Sequence, residues 1–261
     1  MASQSAECRS FVPSAPRPSS PVPQPGPARA QREADEKAQH RLPRFRVTAG
    51  RFGGIDGVML IDVPEGAHVI LAQRGATVLL RVNSEPAQWT QDLQDMPLAQ
   101  LAAVMLPKVE TLAQLDNFAQ ALRARAVDSG HPPPPIAALL ETPLGVLAAS
   151  QIAQHPALCA LGFGAEDYAG ALGVPPEPAA LAWPAHQVLT CAHAYGLACW
   201  GLAGSIADVE DVAGFEHTVR AGRAMGFTGS VCIHPRQVPI VNCGFSPSAE
   251  EISWAERVVA A

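Results

Sequence analysis

From residue 54 onward the chain repeats one pattern: a strand-sized apolar run followed by a segment of helical periodicity. The runs fall at 57–61, 77–82, 102–106, 136–140, 158–163, 198–202 and 230–233. Helical segments are predicted between them at 98–101, 111–124, 143–152, 184–194 and 209–225, with a last helix at 249–260. Short apolar runs alternating with helices imply parallel strands joined by crossovers. Two architectures carry that pattern, a closed (β/α)8 barrel and an open doubly wound sheet. At 261 residues the chain is long enough for a full barrel. A doubly wound nucleotide-binding sheet places a glycine-rich loop after its first strand, and none follows here. The expectation is therefore an α/β fold of the TIM (β/α)8 barrel type. Seven strands are visible, and the best candidate for an eighth is the short run 8–13. The first strand–helix unit is thus expected to be incomplete.

Residues 1–45 read differently from the rest. Seven prolines fall within residues 13–27, a density that favours extended polyproline conformations and cannot build a core. The domain reading is a disordered proline-rich segment at 1–45 and a barrel domain at 46–261. A net charge of −6 gives no general attraction to nucleic acid or to an anionic membrane. The apolar runs are too short to span a bilayer, and no basic leader precedes an apolar core. Six scattered cysteines without a CxxC pair read as reduced thiols, which fits a cytoplasmic protein.

Two of the strand-like runs end in acids. Glu141 follows the run at 136–140, and Asp167 follows 158–163, one strand–helix unit later. In a parallel barrel, successive strand ends meet at one rim, where such barrels place their chemistry. Two hard oxygen ligands there, with room for water and substrate, suit a magnesium ion. Each acid can also mark a helix start, because Glu141 precedes Thr142-Pro143 and Asp167 precedes an apolar helical stretch, and both readings can hold at once. Arg81 ends an otherwise uncharged strand, where its planar fork of donors can grip a carboxylate. Lys108 and His234 follow other strand ends at the same rim; Lys108 reads equally well as a structural residue, and a lone histidine after a buried strand is more often one. Glu110 is read as a cap for the helix near Thr111, and Asp208 and Asp211 as caps of the helix after them. Gly162 and Gly164 leave space beside the acids. Trp89, Met96, Trp183 and Trp254 are read as packing residues, and Asn242 as structural.

Taken together, LLRVN at 79–83, VMLPKVET at 104–111, ALLETPLG at 138–145, LGFGAEDYAGALG at 161–173 and GFTGSVCIHPRQVPIVNCGFSP at 226–247 resemble the citrate lyase beta-subunit-like family of the HpcH/HpaI aldolase superfamily. The resemblance covers residues 54–261. It implies a magnesium-dependent TIM-barrel lyase that makes or breaks a carbon–carbon bond between a 2-oxo acid and an acyl thioester of coenzyme A or acyl carrier protein. It assigns Glu141 and Asp167 to the metal and Arg81 to the substrate carboxylate. It places Lys108 and His234 beside the substrate or thioester, and it implies a homo-oligomer.

Three departures from the family pattern bear on activity. The opening RSxLFVP strand survives only in part, at 9–13. The strand that usually reads LDLEDA is LIDVPEGA at 60–67, with Pro64 in place of an acid. The closing segment expected after the last helix does not follow Ala261. Two hypotheses result. One is an active lyase cleaving a citryl-, malyl- or citramalyl-type thioester. The other is a non-catalytic barrel that binds metal and oxo acid as an assembly or binding subunit.

Overall fold

The computed structural model describes residues 77–94 and 96–260 in full, and 46–52 and 55–61 by their backbone. The expected strand at 8–13, Pro64 and the whole segment 1–45 lie outside the described residues.

Seven strands form one sheet: β1 (Arg46–Phe52), β2 (Ile55–Ile61), β3 (Thr77–Arg81), β4 (Ala103–Leu106), β5 (Ile136–Leu140), β6 (Leu158–Phe163) and β7 (Ala198–Trp200). Their order in the sheet is their order in the sequence. A doubly wound sheet reverses its strand order at a switch point. No reversal occurs here, so the winding is that of a barrel wall. From β2 to β7 every pairing is parallel.

The two ends of the sheet differ from the sequence reading. At one end β1 pairs with β2 in antiparallel register, Arg46 opposite Ile61 and Phe52 opposite Ile55. No strand was expected there, because RVTAGRF mixes charge, glycine and apolar residues. At the other end the expected strand at 230–233 does not form. Trp200 makes an isolated parallel bridge to Gly229, Val231 is a second isolated bridge position, and a helix follows from Gln237. The wall is that of an incomplete barrel, and the helix Gln237–Phe245 lies against β1.

From β3 onward, helices fill the crossovers. They are α1 (Pro86–Gln94), α2 (Leu112–Ser129), α3 (Pro143–Leu147), α4 (Ala149–Ile152), α5 (Ala165–Leu172), α6 (Pro178–Ala194), α7 (Val212–Met225), α8 (Gln237–Phe245) and α9 (Ala249–Val259). Their ends follow local chemistry. The Thr111 hydroxyl accepts from Gln114 N–H at the start of α2, and Gly130, in the left-handed region at φ 71°, ends it. Thr111 therefore does the capping expected of Glu110. Asp211 caps α7 as expected, accepting from Gly214 N–H at 2.9 Å. The α6 helix starts at Pro178, six residues before its expected start, and carries Pro184 within it.

Strand alternation sorts the core into two layers. Val104, Leu106, Ile136, Ala138 and Leu140 face outward and pack beneath the helices. Leu79, Ala103, Met105, Ala137, Ala160 and Trp200 face inward as a smaller cluster. The period of two thus gives each strand one face toward the helices and one toward the barrel axis. A register shift between Ile136 and Ala137, where Ala137 pairs with Ala160 rather than with Cys159, adjusts β6 against β5. Under the outer face, Trp89 and Phe118 meet edge-to-face at 5.2 Å. Trp183 and Trp254 are not packing residues: they are 59% and 61% exposed.

This layering makes a quantitative prediction. Phe118 is fully buried against Trp89, so Phe118→Ala should lower stability by about 3–5 kcal/mol. Trp183→Ala, on an exposed helix face, should change it by about 0.5 kcal/mol or less. Urea denaturation of both variants compares them directly; similar costs would contradict the assigned layers.

Candidate functional site

The alternation that builds the core also aims two side chains into the barrel mouth. On β3, Leu79 faces inward, so Arg81 does too, at the C-terminal end of its strand. On β5, Ala137 and Leu139 face inward and Leu140 outward. Glu141, one residue past the strand, falls on the inward face. Arg81 and Glu141 line the same cavity, which has a volume of about 190 Å3, with Asp167 beside them. That volume suits a small organic acid and its waters rather than a large cofactor.

Asp167 arrives by a different route. It lies in the first turn of α5, after Phe163 has closed the outward layer and Gly164 has turned the chain across Glu141. A Cβ on Gly164 would lie 2.5 Å from the Cβ of Glu141 and 2.9 Å from its Oε2. Any larger residue at 164 would displace the Glu141 side chain. Glycine is needed here for space, since its backbone φ of −95° is ordinary.

Glu141 is the buried member of the pair, only 2% exposed, and Asp167 is the exposed one. The Glu141 pKa is pushed up from 4.5 to about 7. Burial is the largest cause, because a carboxylate withdrawn from water resists ionisation. Next comes a hydrogen bond in which the protonated Glu141 carboxyl donates to Asp167. The positive charge of Arg81 and a hydrogen bond from the Lys108 backbone pull in the opposite direction.

Lys108 enters the site through its backbone. Its N–H donates to Glu141 Oε1 at 3.0 Å. To present that N–H, Lys108 adopts φ 52°, the one positive φ of a non-glycine residue among those described. Such a conformation is strained and needs support. Gln114 supplies it, donating from Nε2 to the Lys108 carbonyl at 3.2 Å and accepting Glu110 N–H at 3.0 Å. The Lys108 side chain is exposed and does not line the cavity. His234 is also outside the lining residues; its Nδ1 accepts from Arg236 N–H at 3.2 Å.

Two further residues organise the opposite wall. Glu166 accepts from the Ser205 hydroxyl at 2.6 Å and from Ile206 N–H at 3.0 Å. Gln237, 1% exposed, donates to the Ile206 carbonyl at 2.8 Å and accepts from Ile233 N–H at 2.9 Å. The signal available in sequence was the HPRQ segment, where a glutamine follows a strand-sized run by four residues and can satisfy its last N–H groups.

The chemistry of the donor set is that of a hard cation. Two carboxyl groups face one open cavity, and one of them is held at a raised pKa by burial and by its neighbour. A divalent cation held by Glu141 and Asp167 would relieve both. Among the described residues no group of three or more His, Cys, Asp or Glu forms.

A parallel barrel wall with paired acids and an arginine at its C-terminal rim defines an α/β protein of the TIM-barrel class. The chain belongs to the HpcH/HpaI aldolase/citrate lyase family, whose model matches residues 61–235. It is 36% identical over 186 residues to a (3S)-malyl-CoA thioesterase of Cereibacter sphaeroides, matching 70% of this chain and 61% of that relative's length. It is 31% identical over 251 residues to the human mitochondrial citramalyl-CoA lyase, covering 87% of this chain and 72% of the relative. Among solved structures it resembles protein CitE of Mycobacterium tuberculosis in complex with magnesium, acetoacetate and coenzyme A. The TM-score is 0.57 at 29% identity, covering 78% of each chain.

The raised pKa of Glu141 fixes a pH dependence. In the metal-free chain, the folded state keeps a proton on Glu141 that the unfolded state releases near pH 4.5. Between pH 4.5 and about 7 the folded state binds more protons, so stability falls as pH rises. The contribution is full below that window and lost above it, on the order of 3 kcal/mol in total. Glu141→Gln carries no such proton. The stability difference between wild type and variant, from denaturant unfolding at pH 5 and pH 8, should therefore change by a large part of this amount. An equal difference at both pH values would show that Glu141 titrates normally.

Proposed function

We propose that this chain is a magnesium-dependent carbon–carbon lyase. Its substrate is a 3-hydroxyacyl thioester of the citryl, malyl or citramalyl type, cleaved to a 2-oxo acid and an acetyl thioester. The observation that carries this reading is the meeting of Glu141, Asp167 and Arg81 in one cavity at the C-terminal rim. The family supports it, as do the named activities of relatives that act on malyl and citramalyl thioesters.

Glu141 and Asp167 would hold the magnesium ion. When bound, the ion supplies Lewis acidity toward the oxygens of the oxo acid. Arg81 binds the carboxylate of the oxo-acid half in two-point fashion. The Lys108 N–H holds Glu141 in place, and the space at Gly164 lets that carboxyl lie flat against the backbone. The inward residues Met105, Leu139 and Trp200 keep bulk water from the floor of the cavity. In the cleavage direction the substrate hydroxyl loses its proton and becomes the carbonyl. The carbon–carbon bond breaks, and its electron pair passes to the thioester enolate, which takes up a proton. The thioester carrier, coenzyme A or acyl carrier protein, and the homo-oligomeric state belong to the same proposal.

Arg81→Lys should weaken oxo-acid binding about tenfold or more while leaving magnesium affinity unchanged, because lysine keeps the charge and loses the fork. Titration calorimetry measures both; oxo-acid affinity within about twofold of wild type would remove Arg81 from the role. For the reaction itself, the chain is incubated with magnesium and malyl-, citramalyl- or citryl-CoA. Release of oxo acid and acetyl-CoA is followed together with free thiol. Oxo acid with acetyl-CoA is the expected result, abolished in Glu141→Ala. Free thiol without oxo acid would instead make the chain a thioesterase. Binding without any turnover would make it a non-catalytic subunit.

A further inference from the structure

The first turn of α5 carries two adjacent acids with separate tasks. Asp167 is exposed and belongs to the cavity beside Glu141. Glu166 is half-buried and reaches sideways to the loop after β7. Its Oε1 accepts from the Ser205 hydroxyl at 2.6 Å and from Ile206 N–H at 3.0 Å. Two donors committed to one oxygen make Glu166 part of the scaffold and leave Asp167 as the acid of this turn that can serve a ligand.

The helix α5 needs such an anchor. It has only eight residues, and its N-cap, Gly164, has no side chain to close the first turn. Short helices are marginal, and their first N–H groups lack partners within the helix. Ala165, Tyr168 and Ala169 are buried and hold its inner side. The loop that Glu166 grips is itself fixed. The buried amide of Gln237 donates to the Ile206 carbonyl at 2.8 Å, and Ala207 N–H donates to Ser205 Oγ at 3.0 Å. Further along, Arg236 Nη1 donates to both carboxylate oxygens of Glu210, at 3.1 and 3.3 Å. At Gly201, where the loop begins, a Cβ would lie 2.8 Å from the Phe163 carbonyl, so the backbone runs hard against the end of β6.

We propose that Glu166 is the positioning residue for Asp167. Through Ser205 and Ile206 it pins the first turn of α5 to a loop held by Gln237, and so keeps the Asp167 carboxylate beside Glu141. The proposal rests on the reading of Glu141 and Asp167 as the magnesium pair. Without this tie the first turn frays, and Asp167 must be ordered anew each time a cation binds. That ordering cost appears as lost affinity. The hydrogen bonds carry the role rather than the charge. Glu166→Gln keeps an oxygen that can accept from both donors, whereas Glu166→Ala removes it.

The test is calorimetric titration of the full chain with magnesium alone. Asp167→Asn should weaken binding strongly. Glu166→Ala, which leaves both ligands intact, should weaken it about tenfold, the loss that follows when a group orienting a metal ligand is removed. Glu166→Gln should keep most of the affinity. The double variant Glu166→Ala/Asp167→Asn should bind no more weakly than Asp167→Asn alone, because a residue acting through another does not add to its loss. If Asp167→Asn binds as wild type does, the metal reading fails and the inference fails with it. If Asp167→Asn binds weakly while Glu166→Ala binds normally, the metal reading stands and the inference is overturned. Equal losses in Glu166→Ala and Glu166→Gln would assign the effect to charge and overturn it too, as would additive losses in the double variant. Should Glu166→Ala fail to fold, as urea unfolding would show, Glu166→Asp, one methylene shorter, takes its place.

Discussion

The site is organised around the burial of one carboxyl group. Glu141 is almost wholly withdrawn from water, and a buried acid must find hydrogen bonds, a counter-charge or a proton. Each surrounding feature answers that need. Lys108 offers a backbone N–H, Arg81 a positive charge and Asp167 an acceptor for the proton. Gly164 gives up its side chain so that the carboxyl can occupy the space. These four groups come from the ends of β3, β4 and β6, and Glu141 from the end of β5, four neighbouring strands of one wall. Their convergence follows from parallel winding, which brings every strand's C-terminal end to the same rim.

Strand geometry then decides which residues can take part. Because side chains alternate, a site residue must share the inward face with the packing residues below it. Arg81 stands two residues beyond Leu79, and Glu141 stands two beyond Leu139. A shift of one residue in the pairing of β5 would bury Leu140 in the cavity and turn Glu141 out beneath the helices. Register is protected against this by the outward set Ile136, Ala138 and Leu140, all fully buried under the helical layer. The hydrophobic core and the polar site are therefore specified by the same pattern, read on opposite faces of one strand.

This explains what was legible in the sequence. The runs that became β2 to β7 were found because buried parallel strands read as continuous apolar segments. The acids and arginine at their ends stood out against those runs. The antiparallel β1 was missed because RVTAGRF lacks such a run; the Gly53-Gly54 pair between it and β2, a hairpin signal, was the available cue. The segment 230–233 was taken for a strand because SVCI is apolar, yet among the described residues the chain there carries isolated bridge positions, at Gly229 and Val231, rather than a ladder. Its apolar residues serve instead the cavity wall, through Val231 and Ile233, and a small cluster under α7 and α8, through Cys232. Least legible were roles played by backbone groups and long-range amides. Nothing in VMLPKVET announces that Lys108 acts through its N–H, and one partner of Gln237 lies 31 residues away, at Ile206.

Lys108 shows how strain and function are combined at this rim. A lysine at φ 52° costs more than a glycine would, since its Cβ crowds the backbone. The conformation persists because three separate constraints fix it. Val109 N–H continues the ladder to the Leu139 carbonyl at 3.1 Å, Gln114 holds the Lys108 carbonyl, and Glu141 holds the Lys108 N–H. Gly145 packs so closely on the Val109 carbonyl that a Cβ there would collide with it. The loop after β4 is therefore clamped from the strand side, the α2 side and the α3 side. A loop held so firmly fixes the direction of its N–H without help from the ligand. The carboxyl of Glu141 is thereby held in one orientation by the chain itself.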